Sequence, residues 1–294
     1  MNKRLYFLLI IILLVTSNSS NAQKLTITDQ SKSALSLELR IDDYDIKEIN
    51  DGKEILHEVA LSSITIPNDK GKPNLPSVNR FIAVPNNAKA KVVVNNYKKE
   101  ILKNINIAPS RGIVSEYDTT NSDYIKDSDI YSKDELFPAN IVSITEDINL
   151  RGVEAIGLNI SPIQYNPVKK ELIVYTEIEL SIEYEGGDSK FGDDRLRSMY
   201  WDPILQHNIL NYNSLPKINY SERFQQWIAD NAEGAEYLII IPDKEPFREY
   251  AQRLADYRKK QGIITKVYSL RDINTYSPDG IKNWITEKYN NWEI

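Results

Sequence analysis

The chain has 294 residues, room for one large domain or two of ordinary size. It carries 42 acidic residues against 36 basic ones, a net charge of −6, so its surface offers no electrostatic footprint for nucleic acid. It has no cysteine and two histidines, His57 and His207, which excludes a disulfide, a Cys-ligated zinc, a thiol nucleophile and a multi-histidine metal centre from these residues.

The N-terminus reads as an export signal over residues 1–22. Lys3 and Arg4 form a short positive region, and Leu5 to Val15 run apolar but are too few to span a bilayer comfortably. Ser20-Asn21-Ala22 places small residues at the −3 and −1 positions, so cleavage is expected between Ala22 and Gln23. No transmembrane span remains once the segment is removed. An uncleaved anchor is the alternative; a lipoprotein needs a cysteine that the chain lacks.

From Gln23 to about Gly186 the chain reads as strands. Leu25 to Thr28 and Leu35 to Leu39 alternate apolar with polar residues, the pattern of strands with one dry face. Asn79 to Val84, Ala90 to Asn95 and Glu100 to Ile107 continue it. Along Leu172 to Tyr184, the residues Leu172, Val174, Thr176, Ile178, Leu180, Ile182 and Tyr184 share one face and Glu177, Glu179, Ser181 and Glu183 the other, the expectation for a long strand with one buried face. Turn residues punctuate the region at Asp51-Gly52, Asn68 to Gly71, Pro85-Asn86-Asn87 and Asn166-Pro167. The expected fold is mainly β, an antiparallel sandwich-like domain over 23–186. The stretch from Asp118 to Glu135 is rich in carboxylates, but it lacks the spacing of a calcium loop and reads as a solvated surface, so no metal ligands are assigned.

Residues 187–233 read as a linker with a helical piece. Gly186-Gly187-Asp188 ends the long strand, and Trp201 to Tyr212 predicts a short helix with Asp202 as N-cap and Pro203 in its first turn. Over 234–294 the texture changes. Tyr237 to Ile241 is a continuous apolar run closed by Pro242, the signature of a strand covered on both faces of a parallel sheet. Asp243 to Gln261 predicts an amphipathic helix, Ile263 to Tyr268 a second strand, and Ser277-Pro278 the start of a helix with Ile281, Trp284, Ile285 and Tyr289 on one stripe. That is β-α-β-α, the opening of an α/β sheet. Two strands and two helices cannot close a core, so further strands are expected from a continuation of the chain or from another chain.

Three segments of the β region resemble the propeptide of gingipain-type cysteine peptidases: Gly71-Lys72-Pro73-Asn74-Leu75-Pro76, Pro162 to Pro167, and the strand Leu172 to Tyr184. The α/β piece resembles the start of that family's catalytic domain through Tyr237 to Pro242, Leu254 to Gly262 and Ile281 to Trp292. The resemblance implies a caspase-like fold for residues 234–294, cut short. It also implies an exported zymogen of a Gram-negative bacterium, whose propeptide assists folding and keeps a cysteine endopeptidase latent, with its own or a related catalytic domain as partner. The family's Cys and His belong to later strands, so no catalytic role transfers to any residue here, His57 and His207 included. No cofactor is assigned, and calcium is left open for a longer parent.

If the parent cleaves after basic residues, as some family members do, the propeptide has to present a basic side chain without being consumed. Arg111, in Pro109-Ser110-Arg111-Gly112, is the candidate for occupying the specificity pocket, and Arg195, Arg197 and Arg223 are candidates for processing. Solubilising charge is the competing role at each. Two other classes of function stand beside this one. The β region alone could be a cell-surface binding or adhesion module presenting some of its 18 tyrosines. An unrelated enzyme would be expected to show a motif, yet G-x-S-x-G, a Walker loop and G-x-G-x-x-G are absent, and His57-Glu58 lacks the second His of H-E-x-x-H.

Overall fold

The computed structural model describes residues 23–61, 67–112, 124–229 and 233–292. Ala22 and the rest of the signal segment lie outside them, as do Asp118 and Asp123 of the acidic stretch; Gln23 opens the first strand. Among the described residues no helix is long and apolar enough to cross a membrane.

Strands build the first domain. β1 (Gln23–Gln30) and β2 (Ala34–Ile41) form a hairpin, and β3 (Asp45–Asn50) and β4 (Ile55–Ala60) form a second, smaller one across Asp51-Gly52. β5 (Val78–Ala83), β6 (Ala88–Lys103) and a single-turn helix α1 (Ser128–Tyr131) follow. Then come β7 (Val142–Ile144), β8 (Ile148–Leu150), β9 (Val153–Ile160), β10 (Ile163–Asn166) and β11 (Glu171–Gly186). β11 is the spine of one antiparallel sheet: β6 runs along one of its edges, and β2 and β10 share the other. β9 is the centre of a second, with β5 on one edge and β7 and β8 on the other. Leu35, Leu37 and Leu39 of β2, Ile178, Leu180 and Ile182 of β11, and Ile82, Ile156, Leu158 and Ile160 of the other sheet meet in one hydrophobic core. That is a sandwich, as the alternation of apolar residues requires.

Two expectations about strands change. Ala90 to Asn95 and Glu100 to Ile107 are not separate strands. They belong to the single strand β6 as far as Lys103, which follows β11 through two register shifts. Asn104, at φ 62°, then turns the chain, and Ile105 to Ala108 lie beside β4 instead: the His57 amide donates to Asn106 O (2.7 Å) and the Ala108 amide to His57 O (2.9 Å). β11 also departs from a single dry face. Beyond the bulge at Tyr175/Glu177 it alternates as expected, but Ile173 and Tyr175 are buried on the outer side, where Tyr97 packs edge-on against Tyr175 at 5.2 Å and the Tyr175 hydroxyl donates to Gln164 (2.6 Å).

The connection after Gly187 is not a free tether. Phe191, Leu205, Ile209 and Leu215 are buried in the sandwich core, and the Asn211 side chain bonds both the amide and the carbonyl of Ala83 (2.8 and 2.9 Å). The segment is thus part of the first domain as far as Leu215, because its apolar residues cover one end of the core. Its helix α2 (Asp202–Asn208) is shorter than Trp201 to Tyr212. Asp202 does not cap it, since its carboxylate is engaged elsewhere. A further helix, α3 (Tyr220–Ala229), leads to the second unit.

In that unit β12 (Tyr237–Ile241), α4 (Phe247–Lys260), β13 (Thr265–Ser269) and α5 (Pro278–Asn291) appear in the expected order, and the two strands are parallel. Ser277 caps α5 by accepting from the Gly280 amide (3.1 Å), with Pro278 in the first turn. α4 begins at Phe247, after Pro242 to Pro246 have turned the chain, and not at Asp243. Trp284 lies 5.0 Å from Tyr268 and 6.1 Å from Trp292, an aromatic cluster beneath β13. β12 is fully buried only at Ile241; Leu238 to Ile240 are half-buried and Tyr237 is exposed, because β13 is its one strand partner among the described residues.

Candidate functional site

Two places hold the candidate arginines. The first is one end of the sandwich. Pro109 bridges Pro73, the Ser110 amide donates to Lys72 O (2.8 Å), and the Gly71 amide donates to Ser110 O (2.8 Å), so Gly71 to Pro76 form the rail that holds the Arg111 segment. Gly71 has φ 84°, and a Cβ there would meet Asp127 Cβ at 3.3 Å, so no larger residue fits without strain. Beneath, Asn106 donates to Glu54 (2.8 Å), Glu54 pairs with Lys126, and Nδ1 of His57 accepts from the Asn106 amide (3.1 Å). The Lys126 hydrogen bond holds the Glu54 carboxyl below its ordinary range. Pro109 and Ser110 are buried, but Arg111 is exposed. Its guanidinium stands 5.1 Å from the ring centroid of Tyr124, whose hydroxyl donates to Glu58 (3.3 Å). Arg111 thus rises from a rigid base. His57 is part of that base, structural and partly buried.

The second place is the junction between the sandwich and the α/β unit. Asp193 accepts from the Arg195 amide (3.0 Å) and so caps a 3-10 turn over Asp194–Leu196. That turn rests on Gly152, where the Asp193 amide donates to Gly152 O (2.6 Å). Arg197 follows. Its side chain is only 1% exposed; it grips Asp202 through two parallel hydrogen bonds of 3.0 and 2.9 Å and donates to Pro216 O (2.6 Å). Desolvation opposes the charge, but the Asp202 carboxylate raises the Arg197 pKa further. Arg223, from α3, donates to the carbonyls of Asp194 (2.6 Å), Arg195 (3.0 Å) and Arg197 (3.2 Å), satisfying the C-terminal end of the 3-10 turn.

Arg195 points the other way. It donates to Tyr289 O (2.5 Å) and Trp292 O (3.2 Å) at the C-terminal end of α5, where orphan carbonyls and the helix dipole favour a cation. The Tyr200 hydroxyl donates to Gln261 O (2.5 Å), and Arg151 lies 4.0 Å from the Trp201 ring centroid. A cavity of about 220 Å³ lies between the two units, lined by Arg195, Trp201, Glu236, Leu238 and Trp292 among others. Burial holds the Glu236 carboxyl above its ordinary range even though it accepts from the Ile264 amide (3.0 Å).

Arg195, Arg197 and Arg223, read from the sequence as processing residues, are therefore brought together as a clamp. Arg197 in particular is a buried structural ion-pair partner, not an accessible linker arginine. The five-residue spacing to Asp202 gave no signal for the pair, and nothing in the sequence marked Arg151. In the described part of the acidic stretch, Asp127 caps α1 and Asp134 pairs with Asn166 and Lys169.

A sandwich with its own core is thus clamped through arginines to a β-α-β-α unit with two parallel strands. Residues 16–218 match the family Propeptide_C25, and residues 230–294 match Peptidase family C25. The chain belongs to the C25 propeptide family, and the second match places the opening of a C25 peptidase domain directly after it. Gingipain R2 of Porphyromonas gingivalis is 24% identical over 270 residues, which cover 90% of this chain and 35% of that protein. Lys-gingipain of the same organism is 23% identical over 156 residues, 49% of this chain and 9% of that one. The chain thus spans about a third of the length of Gingipain R2. A solved complex of the pro- and mature domains of Porphyromonas gingivalis RgpB superposes with a TM-score of 0.58 at 26% identity, over 65% of this chain and 97% of that one.

Proposed function

We propose that residues 23–218 are the latency domain of an exported cysteine endopeptidase zymogen, folding first and then holding the enzyme domain inactive. The observation that carries the reading is the independence of its core. Every residue of the main hydrophobic cluster falls between Leu35 and Leu215, so the domain needs nothing from the α/β unit to bury its apolar faces. A part that folds alone and grips its neighbour through polar contacts suits an inhibitor that is later released.

The exposed Arg111 on its rigid base is the element offered to a basic-specific cleft. A preorganised side chain loses little entropy on entering a pocket, and the hydrogen-bonded backbone that precedes it, Ala108 to Ser110, resists rearrangement to the geometry that cleavage requires. The test is inhibition of an active gingipain-type catalytic domain by the 23–218 fragment. Saturable inhibition is expected, and Arg111→Ala should weaken it by about tenfold or more if Arg111 fills the pocket. A folded fragment that leaves the peptidase fully active overturns the latency reading and returns the sandwich to the class of binding modules.

A further inference from the structure

We propose that the maturation bond of this chain is Lys217–Ile218, cut by a lysine-directed endopeptidase, and that Arg195 and Arg223 hold the two halves together afterwards. This rests on the propeptide reading above. Between residues 190 and 244 the basic side chains are Lys190, Arg195, Arg197, Lys217, Arg223 and Lys244. A peptidase binds its substrate as an added extended strand, so it needs a free backbone and a basic side chain that can leave the surface. Lys190 fails on the first count: its amide donates to Asp188 and its carbonyl accepts from Asn86. Arg195 and Arg197 fail on the second, and Arg223 on both, since it sits within α3 and bonds three carbonyls. Lys244 lies beyond β12, so a cut there would strip that strand from the α/β unit.

Lys217 fails on neither. It is exposed in the irregular stretch between Leu215, the last core residue, and Asn219, which bonds the start of α3. Neither its side chain nor its backbone has a hydrogen-bond partner among the described residues. An open groove of about 530 Å³ runs past it and Ile218. The bond also falls where the propeptide match ends, at 218, and before the peptidase match begins, at 230. Hydrolysis adds one water across the amide, leaving the Lys217 carboxylate and the Ile218 amine. The nick leaves every core residue on the first half. Arg223, now on the second half, keeps its bonds to the carbonyls of Asp194, Arg195 and Arg197, and Arg195 keeps its own to α5. Cleavage would therefore precede release.

The experiment is limited proteolysis of the full chain under native conditions with a lysine-specific endopeptidase and, in parallel, an arginine-specific one. The first new N-terminus with the lysine-specific enzyme should be Ile218-Asn219-Tyr220, and the halves should co-elute in size exclusion. Lys217→Ala should slow that product at least about tenfold, because cleavage elsewhere has to wait for local opening. Lys217→Arg should move the same cut to the arginine-specific enzyme. A first product beginning at Phe224 or anywhere else, or halves that separate on nicking, overturns the proposal. A 23–218 fragment that fails to inhibit while the Lys217 cut persists overturns the latency reading alone.

Discussion

At the scale of single residues, the junction turns on charges taken out of water. Arg197 and Asp202 are side by side with 1% and 13% of their side chains exposed, so each depends on the other for solvation. Arg197→Ala leaves the Asp202 carboxylate without its partner and should cost about 3–5 kcal/mol in urea-induced unfolding of the first domain. The double substitution Arg197→Met with Asp202→Leu should recover most of that, which separates the loss of a pair from the loss of packing. Glu236 gives the opposite sign. Its folded-state pKa lies above the ordinary value, so folding favours its protonated form, and stability falls as pH rises through that raised value. Glu236→Gln should therefore raise the unfolding midpoint of the α/β unit near pH 7 and leave it unchanged near pH 3, as a pH series of melts would read out. The exposed loop position of Arg111 is legible in the sequence because Pro109 and Gly112 mark a turn around it. The clamp is not, because its bonds run to main-chain carbonyls at sequence distances of up to 97 residues, which no spacing encodes.

At the scale of elements, what was legible followed from periodicity. β2 and the second half of β11 alternate because one face is wet, and α5 announced itself by Ser277-Pro278 and its apolar stripe. β9 and β10 were missed. Ile156 to Ile160 and Ile163 to Asn166 each alternate apolar with polar residues, but Ser161-Pro162 interrupts the run after one short stretch, and β10 is buried on both faces, so its polar members do not mark a wet side. The division of β6 into two strands was an error of the same origin, since two shifts of register break the period without breaking the strand. The link between sandwich and clamp runs through Gly152, in the turn between β8 and β9. Its φ is +78°, and a Cβ there would stand 2.8 Å from Leu196 Cβ and 3.0 Å from Asp193 O. Gly152→Ala should thus strain the turn and also push the 3-10 segment outward, destabilising by more than about 1 kcal/mol. Amide exchange should accelerate at Arg195, Leu196 and Arg197 while the Ile178 to Ile182 amides of β11 stay protected.

At the scale of the whole molecule the two units differ in how far their apolar surface is covered. In the first domain both sheets face a common core, and the segment through Leu215 closes one end of it. In the second, β12 has a single strand partner among the described residues, and Phe247, Tyr250, Leu254, Tyr257 and Ile285 remain exposed. A two-stranded sheet with two helices is marginal by itself, and the clamp contributes mainly hydrogen bonds, each worth roughly 1 kcal/mol net. The chain should accordingly open in two steps. Under native conditions the amides of Leu238 to Ile241 are expected to exchange through a local opening of a few kcal/mol, and those of Ile178 to Ile182 only through unfolding of the sandwich, at roughly 5–15 kcal/mol. Denaturant-dependent hydrogen exchange distinguishes the two, because the slope of the opening free energy scales with the surface exposed. If both sets converged on one free energy and one slope, the α/β unit would belong to the same cooperative block as the sandwich. The proposed release of the α/β unit from the sandwich would then be untenable, since it requires that the clamp can open while the sandwich remains folded.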